Sequence, residues 1–284
     1  MKINNYFGVL LTIGLALTAC SSDDSNTEQV YRTYTMTIDA TKGANEAASR
    51  GDTRALTLTG STLNATWATT EHVYVQGKKV SDNSYFWFVG SIQPQYAGTT
   101  TRLNGTISLP AGWSYSSVNE AIGYPNYVTL QFPRPYVLDY TGQIGTLADI
   151  AAKYDYAKAT DVGVDIEADK VVGVSPVTFV NQQAIVKFTL KDQNNNVINA
   201  SSLEISADGL IQRGSTTGTI TITPASPTSI IFAALRGIAS TTVTLTATVG
   251  SDTYTFDKSN VTFTNGQYYE INVKMKKNTK LLKQ

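Results

Sequence analysis

Val30-Tyr31-Arg32-Thr33-Tyr34-Thr35-Met36-Thr37-Ile38 decides how this chain is read, because its side chains sort with a period of two. Val30, Arg32, Tyr34, Met36 and Ile38 share one face, while Tyr31, Thr33, Thr35 and Thr37 share the other, as in a half-buried β-strand. Residues 40–54 then lose all periodicity. Gly43, Ala44, Asn45, Ala47, Ala48, Ser49 and Gly51 are small or turn-prone, which predicts a loop. That loop carries Arg50-Gly51-Asp52 and a second arginine, Arg54, so it is either an adhesive loop or a protease-sensitive joint. Alternation resumes at Leu56 and Leu58, continues through Leu63, Ala65 and Trp67, and returns in Val73-Tyr74-Val75.

Further short strands follow between turn clusters: Tyr85 to Val89, Thr106 to Leu109 and Ala121 to Tyr124. Their threonine and tyrosine content suits half-exposed antiparallel strands. The one helix is expected over 146–157. Thr146 caps it, Asp149 is the acidic residue of its first turn, and Leu147, Ile150, Ala151 and Tyr154 form its apolar stripe. Asp161, Asp165, Glu167 and Asp169 then mark a composition shift that reads as a domain junction. Beyond it, strands are expected at 184–190, 202–206, 218–222, 229–235, 242–249, 252–256 and 268–275. Seven strands at this spacing make a β-sandwich. The first half has a similar number, so the chain is expected to be all-β, with sandwiches at 30–158 and 159–277 and a basic tail at 278–284.

Ahead of the first strand, Lys2, the apolar run Phe7 to Leu17 and the small residues behind it have the order of a secretory signal, residues 1–19. The run is too short to stay in a bilayer as a spanning helix. Leu17-Thr18-Ala19-Cys20 resembles a bacterial lipobox, which makes Cys20 the lipidated residue. It is the chain's one cysteine, so no disulfide forms within the chain. Several acyl chains on one residue would hold the protein to a membrane stably. Residues 20–29, with Ser21-Ser22-Asp23-Asp24-Ser25-Asn26, read as a solvated tether.

Lys+Arg and Asp+Glu both number 22, and charged residues make up 15% of the chain, so no overall field draws it to nucleic acid. Catalytic chemistry is poorly supplied. His72 is the one histidine and stands at a strand start, where a surface imidazole is expected. Zinc wants several His or Cys ligands, and the run from Asp161 to Asp169 lacks the spacing of a calcium loop. No nucleophile elbow or phosphate loop is present. No enzyme, metal or cofactor is therefore expected. Trp67, Trp87 and Trp113 could form a sugar platform, although Trp67 and Trp87 fit a core better.

The lipobox, Thr53-Arg54-Ala55-Leu56-Thr57-Leu58, Asn64-Ala65-Thr66-Trp67, Tyr140 to Ile150, Phe179 to Phe188 and Gly266 to Val273 together resemble fimbrillin-like lipoproteins, the type V pilins. The resemblance implies two tandem transthyretin-like Greek-key sandwiches in a subunit exported to the outer membrane. It implies that an arginine-specific protease cuts after the first strand, at Arg54-Ala55 or, as second choice, Arg50-Gly51. The strand then leaves and one from a neighbouring pilin subunit replaces it. Partners on this reading are other subunits, the protease, the membrane through its lipid, and ligands on host or bacterial surfaces. Stalk, tip and accessory roles stay open, because the chain ends soon after Met275 in a lysine-rich stretch. The alternative is a surface lipoprotein that binds glycans and does not polymerise.

Overall fold

Threonine, tyrosine and β-branched residues at alternate positions favour extended backbone with one face buried. The computed structural model accordingly has eighteen strands and one short helix among the residues it describes, which are 33–42, 56–59, 62–78, 84–109, 127–133, 140–167, 169–210 and 217–278. Cys20, the Arg50-Gly51 and Arg54-Ala55 bonds, Trp113, the strand expected at 121–124 and residues 279–284 lie outside these.

The first sheet contains β1 (Thr33–Lys42), β4 (Tyr74–Lys78), β5 (Tyr85–Trp87), β6 (Val89–Pro94), β7 (Thr100–Ser108), β8 (Tyr127–Phe132), β9 (Ala157–Ile166), β10 (Lys170–Gly173) and β11 (Val177–Asn181). Its order is β5-β4-β8-β9-β10-β1-β7-β6, with β11 beside β1 and β9. A bridge between Val73, directly before β4, and Ile92 of β6 brings the two sides of this path together, with N to O distances of 2.8 and 2.9 Å. The sheet therefore folds over its own core, which includes Tyr34, Met36, Trp67, Phe88, Ile107 and Phe179. Between β1 and β4, β2 (Leu56–Thr59) and β3 (Thr62–Ala65) form a separate hairpin.

The second sheet has β12 (Ala184–Asp192), β13 (Ser202–Asp208), β14 (Thr217–Ile222), β15 (Ile230–Leu235), β16 (Ile238–Val249), β17 (Asp252–Phe263) and β18 (Tyr268–Lys277), in the order β14-β13-β16-β17-β18-β12-β15. β17 and β18 share just two residue pairs, Tyr254 with Lys277 and Thr255 with Lys276. The sheet turns there, so that Leu203, Ile205, Ile220 and Leu245 close over Val186, Phe188, Ile231 and Val273. The chain is thus all-β, with two sandwiches and, among the described residues, one short helix, as its alternation indicates.

Four expectations need correction. The first strand runs on to Lys42, so 40–42 are not loop. The first sheet continues past 158 to Asn181, and sheet membership changes between Asn181 and Ala184. The acidic stretch is the β9–β10 hairpin, in which Val171 pairs with Ile166 and Val172 with Asp165. Finally, the helix α1 covers Leu147–Lys153, ending four residues earlier than expected. Thr146 caps it as expected, accepting from the Asp149 N–H at 3.2 Å. The Asp149 carboxylate accepts from the Ile144 N–H and pairs with Lys153.

Residues 140–150 lie along the outer edge of β15, which would otherwise be open to stray pairing. The Gly145 carbonyl accepts from the Phe232 N–H at 2.9 Å. The Gln143 side chain takes the place of a peptide group: its Nε2 donates to the Ala234 carbonyl at 2.8 Å, and its Oε1 accepts from the Ala234 N–H at 2.7 Å. Both partners are buried. Gln143→Ala removes both bonds, together with the one that Nε2 donates to the Tyr140 carbonyl at 2.7 Å, and an orphaned buried peptide group costs about 1–3 kcal/mol per hydrogen-bonding atom. Urea unfolding should show a loss of about 2–3 kcal/mol, and a loss under about 1 would mean that water replaces the amide.

Candidate functional site

The site is the seat of β1. Nine residue pairs, Thr33–Ser108 through Thr41–Thr100, bind β1 antiparallel to β7. On its other edge it runs parallel to β10, from Thr35–Lys170 to Thr37–Val172, and to β11, from Ala40–Val177 to Lys42–Phe179. The first described strand of the chain is therefore an interior strand of its sheet. Withdrawing it would expose a row of backbone donors and acceptors on each flank, together with the apolar floor beneath.

Side chains set its register. Tyr34, Met36, Ile38 and Ala40 are buried, as the period-two reading placed the first three, while Thr33, Thr35 and Asp39 face solvent. Asp39 pairs with Arg102 on β7 at 2.9 Å, and that guanidinium holds its carboxyl below the ordinary value. Both groups are exposed, so the pair contributes little. Gly173 gives Ile38 its place, because a Cβ built there would overlap the Ile38 side chain.

The inward phase ends on a charge. Lys42 continues the series Tyr34, Met36, Ile38, Ala40, and its side chain is 0% exposed. Its Nζ lies 2.9 Å from Glu71 Oε1 and 2.9 Å from Asp155 Oδ2, whose side chains are 5% and 1% exposed. The Thr66 carbonyl accepts from the same ammonium at 3.4 Å. The ring centroids of Phe132 and Trp67 lie 4.3 and 5.0 Å away, and the two rings meet edge to face. Glu71 stands before β4 and accepts from the Ala68 N–H at 3.2 Å, while Asp155 lies between α1 and β9. One ammonium thus joins the end of β1 to two distant parts of the chain. Burial pushes the Glu71 carboxyl above its ordinary value, and the charge of Lys42 pulls it partly back. Protonation therefore favours the folded state more than the unfolded one. The stability Glu71 contributes is fully present below about pH 4.5 and declines as pH rises through its higher folded value.

The sequence reading placed none of these three residues in a site. Lys42 was findable, since it falls two residues beyond Ala40 in the buried phase, but the small residues after it suggest that the strand has already ended. His72 is exposed, with Nδ1 2.8 Å from Ser91 Oγ, apart from the buried triad. Trp67 is fully buried and Trp87 is half-buried on β5, so Trp67 offers no platform for a sugar. Among the described residues, no three His, Cys, Asp or Glu side chains cluster as metal ligands. Arg50, Gly51, Arg54 and Ala55 fall between Lys42, where β1 ends, and Leu56, where β2 begins where alternation was expected to resume.

No family model and no curated protein matches the sequence. Solved structures similar to it include one described as a cell adhesion protein from Bacteroides ovatus, 14% identical over 86% of this chain and 94% of that one, with a TM-score of 0.44. One described likewise from Bacteroides fragilis is 12% identical over 87% and 98%, with a TM-score of 0.42. The C-terminally truncated tip fimbrial protein Mfa3 from Porphyromonas gingivalis is 10% identical over 85% and 95%, with a TM-score of 0.39. Identities and TM-scores this low leave the function to be argued from the chain's own residues.

Proposed function

We propose that this chain is a structural, tip or accessory subunit of a cell-surface fimbria, exported as a lipoprotein and anchored through acylated Cys20. On this reading an arginine-specific protease cuts the segment between Lys42 and Leu56, at Arg54-Ala55 or at Arg50-Gly51, and releases β1. A strand from a neighbouring subunit then takes its place. The observation that carries the reading is the position of β1: first among the described strands, yet hydrogen-bonded on both edges over a buried floor. One cut in a connecting segment would separate it covalently, and an extended strand would restore both the pairing and the burial. Such an addition joins unlike surfaces head to tail, so it propagates as a filament. The Arg-Gly-Asp triplet would leave with β1 after a cut at Arg54. The chemistry is structural and needs no catalytic group or cofactor.

Digestion of the protein with an arginine-specific protease should cut once between Lys42 and Leu56, and gel filtration with denaturing electrophoresis should then show ladders of higher order. The double variant Arg50→Ala, Arg54→Ala should stay monomeric. A clean cut that leaves only monomers would count against the proposal.

A further inference from the structure

The seat of β1 presents two edges for hydrogen bonding, and hydrogen bonds alone do not fix a register. An alternating strand shifted by two residues keeps the same face inward. The apolar floor discriminates weakly between such shifts, because Met, Ile and Val are of similar volume. The far end of the seat is different. There Glu71 and Asp155 hold a single ammonium, each at 2.9 Å, in a place where the three side chains are 5% exposed or less.

We propose that Glu71 and Asp155 form a register-reading socket for a basic side chain, and that a strand from a second copy of this chain enters the seat only with a lysine where Lys42 now lies. The proposal rests on the strand-replacement reading and names what that seat selects. In the correct register the incoming ammonium reaches both carboxylates and the Thr66 carbonyl, as Lys42 does. A shift of two residues either sets an apolar group against the carboxylates or forces a charged side chain toward the apolar floor, and both are disfavoured in a buried site.

The chain carries a matching segment outside β1. Tyr34, Met36, Ile38, Ala40 and Lys42 define Tyr-x-apolar-x-apolar-x-apolar-x-Lys, and the pattern occurs once more in the sequence, as Tyr269, Ile271, Val273, Met275 and Lys277. These residues lie in β18, a strand of the same ten-residue length. In its own sandwich β18 buries Val273 and Met275, but Lys277 is exposed and pairs at the surface with Asp252. There the lysine is not needed for packing. In the seat of another copy it would reach the socket.

The test uses the full chain cut between Lys42 and Leu56 with all fragments retained. Synthetic peptides covering 33–42 and 268–277 are added in excess, each with its lysine and with that lysine replaced, Lys42→Met and Lys277→Met. Mass spectrometry of the gel-filtered complex reads how much original strand each peptide displaces. Both lysine peptides should displace it at concentrations at least about a hundred-fold lower than their methionine forms, as the loss of one member of a buried ion pair implies. In a chain carrying Glu71→Gln and Asp155→Asn that preference should disappear. Equal entry of the lysine and methionine peptides would overturn the socket while leaving strand replacement standing. Entry of the 33–42 peptide without the 268–277 peptide would overturn β18 as the matching strand. If even the 33–42 lysine peptide fails to enter, strand replacement itself falls, and the socket with it.

Discussion

Lys42→Met should cost about 3–5 kcal/mol at neutral pH, far more than removal of any exposed lysine. The methionine is long enough to occupy the space, so the loss is electrostatic. It withdraws an ammonium from between Glu71 and Asp155 where little solvent can reach. The comparison is Lys187→Met: Lys187 pairs with Glu270 at 3.3 Å in a partly exposed position, and its loss should cost under about 1 kcal/mol. Acid should distinguish the two mechanisms. Without Lys42 the Glu71 carboxyl rises further above its ordinary value, because the lysine charge was lowering it. A carboxyl raised in the folded state favours folding below its unfolded value and opposes it as pH climbs through the folded one. The cost of Lys42→Met should therefore be largest near pH 8 and shrink toward pH 4. Urea unfolding followed by tryptophan fluorescence suits the measurement, since Trp67 packs beside the ammonium. A cost independent of pH would mean that lost packing dominates. Adding Glu71→Gln and Asp155→Asn to Lys42→Met should recover part of the stability, because neutral amides tolerate burial better than carboxylates.

Gly173→Val should loosen β1 by about 3 kcal/mol, at the upper end of the usual cost of overpacking. The new Cβ would overlap Ile38, and neither strand can yield easily, since β1 is paired on both edges. Amide hydrogen exchange should show the backbone of Met36, Ile38 and Ala40 opening about a hundred-fold faster, with β12 and β18 unchanged. Gly163→Ala is the control, because its Cβ would meet Tyr127 and Val174 only at ordinary contact distances of 3.7–3.8 Å. Equal effects at the two glycines would show that backbone entropy, and not the seat of Ile38, explains the loss.

The second sandwich was the more legible half, because segments such as Val186–Leu190 within β12 keep a period of two and are set off by clear turns. β9 was hidden by a single residue. Ala157 and Ala159 point inward, then Thr160 and Asp161 are both exposed, and Val162 and Val164 resume on the opposite phase. Asp161 has φ of 54°, and the β8 pairing shifts at the same place. Such a bulge breaks the alternation without ending the strand, so the acidic residues around it resemble a linker. The helix was overextended for a related reason: Tyr154 continues the apolar stripe but acts as the C-cap, with its backbone already outside helical geometry. The charge triad was illegible because its members, 29 and 84 residues apart from Glu71 to Lys42 and from Asp155 to Glu71, meet only through the folded sheet.

The pairing of β1 also dictates an order of events. Its partner on one edge begins at Thr100, and its last partner on the other, Phe179, comes 179 − 42 = 137 residues after Lys42. At about 5–20 residues per second, roughly 7–30 seconds of synthesis separate the appearance of this strand from that of its complete seat. Among the described strands of the first sheet, the one that emerges earliest is thus among the last to be enclosed. Any factor that guards the nascent chain must shield Tyr34, Met36 and Ile38 throughout that interval.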